Sequence, residues 1–213
     1  GSVVPGSRLS LGELRLSRYA AGRDAGRSHA EVGLGRIGGR EQVGGLPCIV
    51  KLIQGTQGVG VMIATSEPEL RSMLDTLWTL GQEILIQELV AESRGKDVRA
   101  FVVGDRVVAA MRRTARSGEF RSNIHRGGVA EAVTLEREFA EAAVKATRVM
   151  GLEVAGVDML EARSGPKLME VNSSPGFEGL ESATGLDIAR AYVEHALEFG
   201  HARHAGVIHG RIG

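Results

Sequence analysis

Apolar positions along the chain recur with two periods, one near 3.6 residues and one of two, and from Leu46 onward segments of each kind follow one another. Pro47 to Ile53 is an apolar run interrupted by Lys51, a candidate strand. Val59 to Ala64 reads as its return partner across the turn Gly55-Thr56-Gln57-Gly58-Val59-Gly60. Ser66-Glu67-Pro68-Glu69 has the form of a capping box with proline in the first turn. Behind it Leu70, Met73, Leu74, Leu77 and Leu80 make one apolar helical face, which Gly81 ends. Ile84 to Gln87 predicts a buried strand. Asp97–Val103 and Arg106–Met111 flank Gly104-Asp105, a two-residue hairpin signal. Residues 114–129 are polar and read as a long loop. Thr134 is the expected cap of a helix whose apolar face is Phe139, Ala142, Ala143, Ala146, Val149 and Met150, ended by Gly151. Val154–Leu160 and Lys167–Val171 are strands joined by a turn at Ser164-Gly165, and Asp187–Phe199 is a last amphipathic helix. Hairpins mixed with helices, without strict β-α alternation, predict an α+β fold with antiparallel sheet.

The first 46 residues break this pattern. They hold eleven glycines, seven arginines and no lysine, with sparse apolar residues and no sustained period. Residues 1–46 are therefore expected to be an aberrant or poorly ordered lead-in, a wrong-frame segment being the other reading. The Gly- and His-rich tail, 201–213, is expected to fray.

Composition removes several classes of function. The 26 Lys and Arg balance the 26 Asp and Glu, so no overall field draws the chain to nucleic acid or to a membrane. Apolar runs are broken within about ten residues, too short to cross a bilayer, and no signal peptide is visible. One cysteine, Cys48, in an apolar run rules out an internal disulfide framework and fits a reducing cytoplasm.

Three constellations carry candidate chemistry. Glu170 and Asn172 lie two apart on a strand, so both side chains leave the same face. Asp158 sits one tight turn earlier, where antiparallel pairing can bring it beside them. Carboxylates inside the runs Ala155-Gly156-Val157-Asp158-Met159-Leu160 and Leu168-Met169-Glu170-Val171 are costly unless they meet a cation. Two carboxylates and an amide oxygen suit Mg²⁺ carrying phosphate oxygens; the alternative is a pair of acids on a solvated face. Lys51 precedes a glycine turn whose N–H groups could close over phosphates. The order fits neither a P-loop nor a dinucleotide fingerprint, and a plain hairpin is the competing reading. The strand end Gln87-Glu88-Leu89 could offer backbone groups to an adenine edge and a carboxylate to ribose, or be a strand end alone. Arg112, Arg121, Asn123, His125 and Arg126 gather around a mobile-looking loop suited to a transferring phosphoryl group. A solvated loop is the alternative, and an RNA-binding loop a weaker one, since aromatic residues are 4% of the chain.

Taken in order, these segments form a specific series. Lys51, Gly55–Gly60, Gln87-Glu88, Gly95-Lys96-Asp97-Val98-Arg99, Phe120-Arg121-Ser122-Asn123-Ile124-His125-Arg126-Gly127-Gly128, Ala155–Asp158 and Met169-Glu170-Val171-Asn172-Ser173-Ser174-Pro175-Gly176 resemble the RimK-type glutamate ligases of the ATP-grasp superfamily, over residues 47–199. The resemblance implies two α+β subdomains whose antiparallel sheets grip ATP, a small and incomplete one at 47–83 and a C-terminal catalytic one at 84–200. It implies ATP-dependent joining of an amino acid, L-glutamate, to a carboxylate acceptor through an acyl phosphate. It implies Lys51 on the phosphates; Gln87, Glu88, Leu89 and Asp97 at the nucleotide; Arg121, Ser122 and Asn123 at the nucleotide and the transferring phosphate; and Asp158, Glu170 and Asn172 on Mg²⁺, with Mn²⁺ as a substitute. Arg121 and Arg112 are the implied catalytic charges, with Arg99 a further one. In the best-known members the acceptor is the C-terminus of a ribosomal protein; related ligases take small-molecule or carrier-protein carboxylates. Members are often homo-oligomers. They also begin with a separate domain and a second ATP-contacting lysine, which residues 1–46 do not match. A non-catalytic nucleotide-binding remnant is therefore the alternative to an active ligase.

Overall fold

A computed structural model describes residues 2–3, 19–20, 45–52, 60–116 and 128–204, by backbone alone for 2–3, 19–20 and 201–204. The elements are β1 (Ser2–Val3), β2 (Tyr19–Ala20), β3 (Cys48–Leu52), β4 (Val61–Ala64), α1 (Glu67–Thr79), β5 (Ile84–Glu88), β6 (Lys96–Val103), β7 (Arg106–Thr114), β8 (Val129–Ala132), α2 (Arg137–Val149), β9 (Val154–Ala162), β10 (Gly165–Asn172), α3 (Glu178–Thr184) and α4 (Ile188–His204). They build two antiparallel sheets, ordered β1-β10-β9-β6-β7-β8 and β2-β5-β3-β4. The α+β expectation holds.

The smaller sheet buries one face on α1. Cys48, Val50, Ala64, Ile84 and Ile86 meet Leu70 and Leu74 there. Ser66 caps α1 through its hydroxyl, which accepts from Glu69 N at 3.4 Å. Glu69 reaches back one residue further than a capping box requires, to the Thr65 N–H at 2.7 Å. Leu80, assigned from its spacing to the apolar face, is the C-cap instead and is exposed.

The larger sheet is covered on both faces. Ala100, Val102, Val157, Met159, Leu168 and Val171 point to α2 and meet Ala143 and Ala146. The opposite face carries Phe101, Val103, Ala109 and Met111, which pack on Leu180 of α3 and Ile188 of α4. Among the described residues this second layer packs on only part of that face, and the part beyond it is polar.

Four features differ from the sequence reading. β5 hydrogen-bonds along β3, so the break between the sheets comes after Glu88 rather than before Ile84. Residues 1–46 contribute two short strands, β1 beside β10 and β2 beside β5. β8, drawn from the end of the expected loop, and the seven-residue α3 are additional elements. α2 starts at Arg137 with Glu136 as N-cap, not at Thr134, because Leu135 still points into the core ahead of the first turn.

Candidate functional site

The polar part of the larger sheet's second face is built from β6, β7, β9 and β10. Residues directly opposite on neighbouring strands share a face. Arg99 stands opposite Asp158, Asp97 opposite Arg113, and Glu170 opposite Asp158. These five side chains therefore converge, with Asn172 two residues beyond Glu170 on the same side.

Two β-bulges make this convergence. Across the Gly104-Asp105 turn, Val103 pairs Arg106 and Val102 pairs Val107. Continued unchanged, that register would put Arg112 opposite Asp97. The register slips between Phe101 and Val102, so Phe101 pairs Ala109 and Asp97 meets Arg113. β10 does the same: Leu168 pairs Met159, but past the irregularity Glu170 pairs Asp158. Without it Glu170 would lie opposite Val157 and face α2. A one-residue slip turns a strand's side chains to the other face, and bulges are enriched beside active sites for this reason.

Asp158 is held by two guanidinium groups. Arg99 donates from Nε to Oδ1 and from Nη2 to Oδ2, both at 2.7 Å. Arg113 donates from Nη2 to Oδ2 at 2.9 Å and from Nε to Asp97 Oδ1 at 2.6 Å. Asp97, Arg113 and Asp158 are all buried. Burial on its own would raise the Asp158 carboxyl, but Arg113 and Arg99 outweigh it and hold the group well below the usual carboxylate range. Burial likewise disfavours the Arg113 charge, and Asp158 with Asp97 more than restores it.

The smaller sheet meets this face through two ion pairs. Lys51 Nζ lies 3.3 Å from Glu170 Oε2, and Lys167 Nζ lies 2.7 Å from Glu88 Oε1. Lys51 thus leaves the sheet on the side away from α1 and reaches β10. The segment between the sheets is pinned as well: the Ser93 hydroxyl donates to Glu161 O and Arg163 N donates to Glu92 Oε1. Gln87 pairs with Ile49 and Tyr19, and Leu89 follows directly after β5.

The turn after β10 folds onto the sheet beside the cluster. Asn172 Oδ1 accepts from Ser174 N at 2.9 Å, and Phe177 meets Phe101 edge to face at 5.8 Å. Gly156 makes room for this turn, since a Cβ there would stand 2.8 Å from Pro175 Cβ.

Arg112 is not brought into the cluster. It points to the α2 side of the sheet and forms a bidentate pair with Glu161, Nε to Oε2 at 2.9 Å. The group that sequence reasoning passed over is its neighbour Arg113. The bulge that turns it to this face has no local sequence mark. Arg121, Ser122 and Asn123, and positions 55–59 of the glycine turn, lie outside the described residues.

Among the described residues no three His, Cys, Asp or Glu side chains are arranged to hold a metal. The expected set differs in kind, being two carboxylates and an amide oxygen. Its chemistry fits Mg²⁺. Asp158 and Glu170 are hard oxygen donors on adjacent strands. A carboxylate offers about four acceptor positions; three at Asp158 receive guanidinium N–H groups. One position, on Oδ1, is left for monodentate ligation.

A family model described as RimK-like ATP-grasp domain matches residues 39–196. A probable alpha-L-glutamate ligase of Rhodopirellula baltica is 61% identical over 155 residues, 73% of this chain and 38% of the relative. Probable alpha-L-glutamate ligase 1 of Shewanella frigidimarina is 50% identical over 154 residues, 72% of this chain and 51% of the relative. The chain thus spans about half the length, or less, of the curated relatives it matches. The ATP-grasp ligase PsnB, solved with minimal precursor, Mg and ADP, superposes with a TM-score of 0.63 at 21% identity, over 90% of this chain and 55% of that one, a likeness of fold.

Proposed function

We propose, on the premise that this chain belongs to the RimK-like ATP-grasp family, that it is the ATP-binding and catalytic part of a ligase joining L-glutamate to a carboxylate acceptor. The observation that carries this reading is the meeting of Lys51 with Glu170 across the two sheets, while Glu170 lies opposite Asp158. A cation suited to phosphate and two carboxylates suited to Mg²⁺ share one spot, as a metal-bound triphosphate requires.

In this reading Lys51 exchanges Glu170 for a phosphate oxygen when ATP enters. The backbone at Glu88 and Leu89, beside Gln87, receives the adenine, and Asp97 lies on the nucleotide side. Asp158, Glu170 and Asn172 would hold Mg²⁺, which when bound neutralises phosphate charge; Mn²⁺ is an acceptable substitute in the same oxygen set. Arg121, with Ser122 and Asn123, contacts the transferred group. The acceptor carboxylate oxygen attacks the γ-phosphorus, the bond to the β-phosphate oxygen breaks, and ADP leaves. The glutamate amine then attacks the acyl carbon, loses its proton, and expels phosphate. The protein's work is positioning and charge stabilisation, with no covalent nucleophile. The acceptor we favour is the C-terminus of a protein such as a ribosomal protein, in the cytoplasm, acted on by a homo-oligomer.

The test is ADP release with Mg-ATP, glutamate and peptides ending in a free or an amidated C-terminus. Release that needs both glutamate and the free carboxylate is expected. Nucleotide binding with no turnover would leave only a remnant. Glu170→Gln should abolish Mg-dependent turnover with an unchanged far-ultraviolet spectrum; full activity in that variant would remove Glu170 from the site.

A further inference from the structure

We infer that Arg113 is a positioning residue that ties the nucleotide-side carboxylate Asp97 to the metal-side carboxylate Asp158, and so adds to the dependence of nucleotide affinity on the divalent cation. This rests on the proposed roles of Asp97 and Asp158. The geometry is that of one rigid edge shared between two acids. Nε and Nη2 lie on the same side of the planar guanidinium, one donating to Asp97 Oδ1 at 2.6 Å and the other to Asp158 Oδ2 at 2.9 Å. Because the fork is fixed, turning either carboxylate displaces the other.

Burial strengthens the argument. The Arg113 side chain is 10% exposed, and those of Asp97 and Asp158 are 3% and 8% exposed. Neither acid can exchange this partner for bulk water. Arg99 differs on both counts: among the described residues its hydrogen bonds go to Asp158, and it is 20% exposed. Arg99 sets charge at Asp158, while Arg113 sets the relation between two sites. A register slip in β7 is what presents Arg113 here, and a bulge that re-aims one side chain toward two functional acids fits a positioning role.

Lysine at position 113 would keep the charge without two fixed donors. The experiment therefore titrates a fluorescent N-methylanthraniloyl ADP against wild type, Arg113→Lys and Arg113→Met, each in EDTA and in saturating Mg²⁺. The quantity read is the ratio of the two affinities. Coupling between two ligands is commonly about 5- to 150-fold, and wild type is expected in that range. In Arg113→Lys the ratio should fall about threefold or more, keeping only the part carried by the direct meeting of cation and phosphate, because the path through the fork is cut. In an Asp97→Asn background, Arg113→Lys should change the ratio no further. Melting followed by circular dichroism identifies any variant that fails to fold; the lysine variant carries the test if the methionine variant does. A wild-type ratio in Arg113→Lys overturns the inference. So does an equal loss of affinity in EDTA and in Mg²⁺, the mark of a merely structural arginine. Absence of nucleotide binding by wild type itself would instead overturn the functional reading beneath it.

Discussion

Arg112 and Arg113 are neighbours in the chain and strangers in the structure. Both are arginines on one strand, and both pair with carboxylates, yet Arg112 sits with Glu161 on the α2 side while Arg113 sits between Asp97 and Asp158. Their environments set different expectations. Arg112 and Glu161 are each 36% exposed, so water screens their attraction and the pair contributes at most about 1 kcal/mol. Arg112→Met should move the urea midpoint slightly and leave nucleotide affinity as it was. A tenfold loss of affinity would return Arg112 to the site. Lys51 is the opposite case. Its ammonium stands where the phosphates are proposed to lie, and hydrogen bonds between charged groups contribute about 1.5–3 kcal/mol. Lys51→Ala should therefore weaken nucleotide binding about tenfold or more by direct titration.

At the scale of elements, much was legible and the site's aim was not. α1 announced itself by the Ser66 cap and its apolar face, and the β6–β7 hairpin by Gly104-Asp105. Strand parity alone put Glu170 and Asn172 on one face. What sequence could not show is that Glu170 faces Asp158 only because β10 carries a bulge, nor that β7 has another. A bulge costs one ladder position and leaves the apolar alternation on either side looking sound, so no local pattern betrays it. α3 was missed because seven residues hold too few apolar positions to establish a period. The turn that leads into it offers a test. Gly156→Ala would set a Cβ 2.8 Å from Pro175 Cβ, and overpacking of this kind costs about 1–3 kcal/mol. The turn would have to lift, carrying Asn172 with it. Denaturation should show the stability loss, and Mg²⁺-dependent nucleotide binding should weaken beyond what that loss explains; an unperturbed variant would mean Pro175 yields without moving Asn172.

For the molecule as a whole, the family and the α+β ATP-grasp fold follow from motif order, while the relation between the two sheets is visible only in space. No helix among the described residues is long and apolar enough to cross a membrane. The smaller sheet has an alkaline limit. Burial, with Glu69 nearby, pushes the Cys48 thiol from 9.0 up to about 11. Between those values the unfolded chain loses the thiol proton and the folded chain keeps it, so stability is fully present below pH 9 and falls as pH rises toward 11. Urea unfolding from pH 8 to 11 should show that decline, and Cys48→Ala, though less stable throughout, should show it less steeply; equal slopes would exonerate the thiol. The pairs Lys51–Glu170 and Glu88–Lys167 run in opposite senses between the sheets. Each is partly buried, with side chains 16–29% exposed, and ties the sheets where it stands. Their reversed polarity does something else: sliding one sheet along the other brings Lys51 toward Lys167 in one direction and Glu88 toward Glu170 in the other. Either slip sets one pair of like charges face to face, so the two halves are keyed to dock in one alignment and to reject its neighbours.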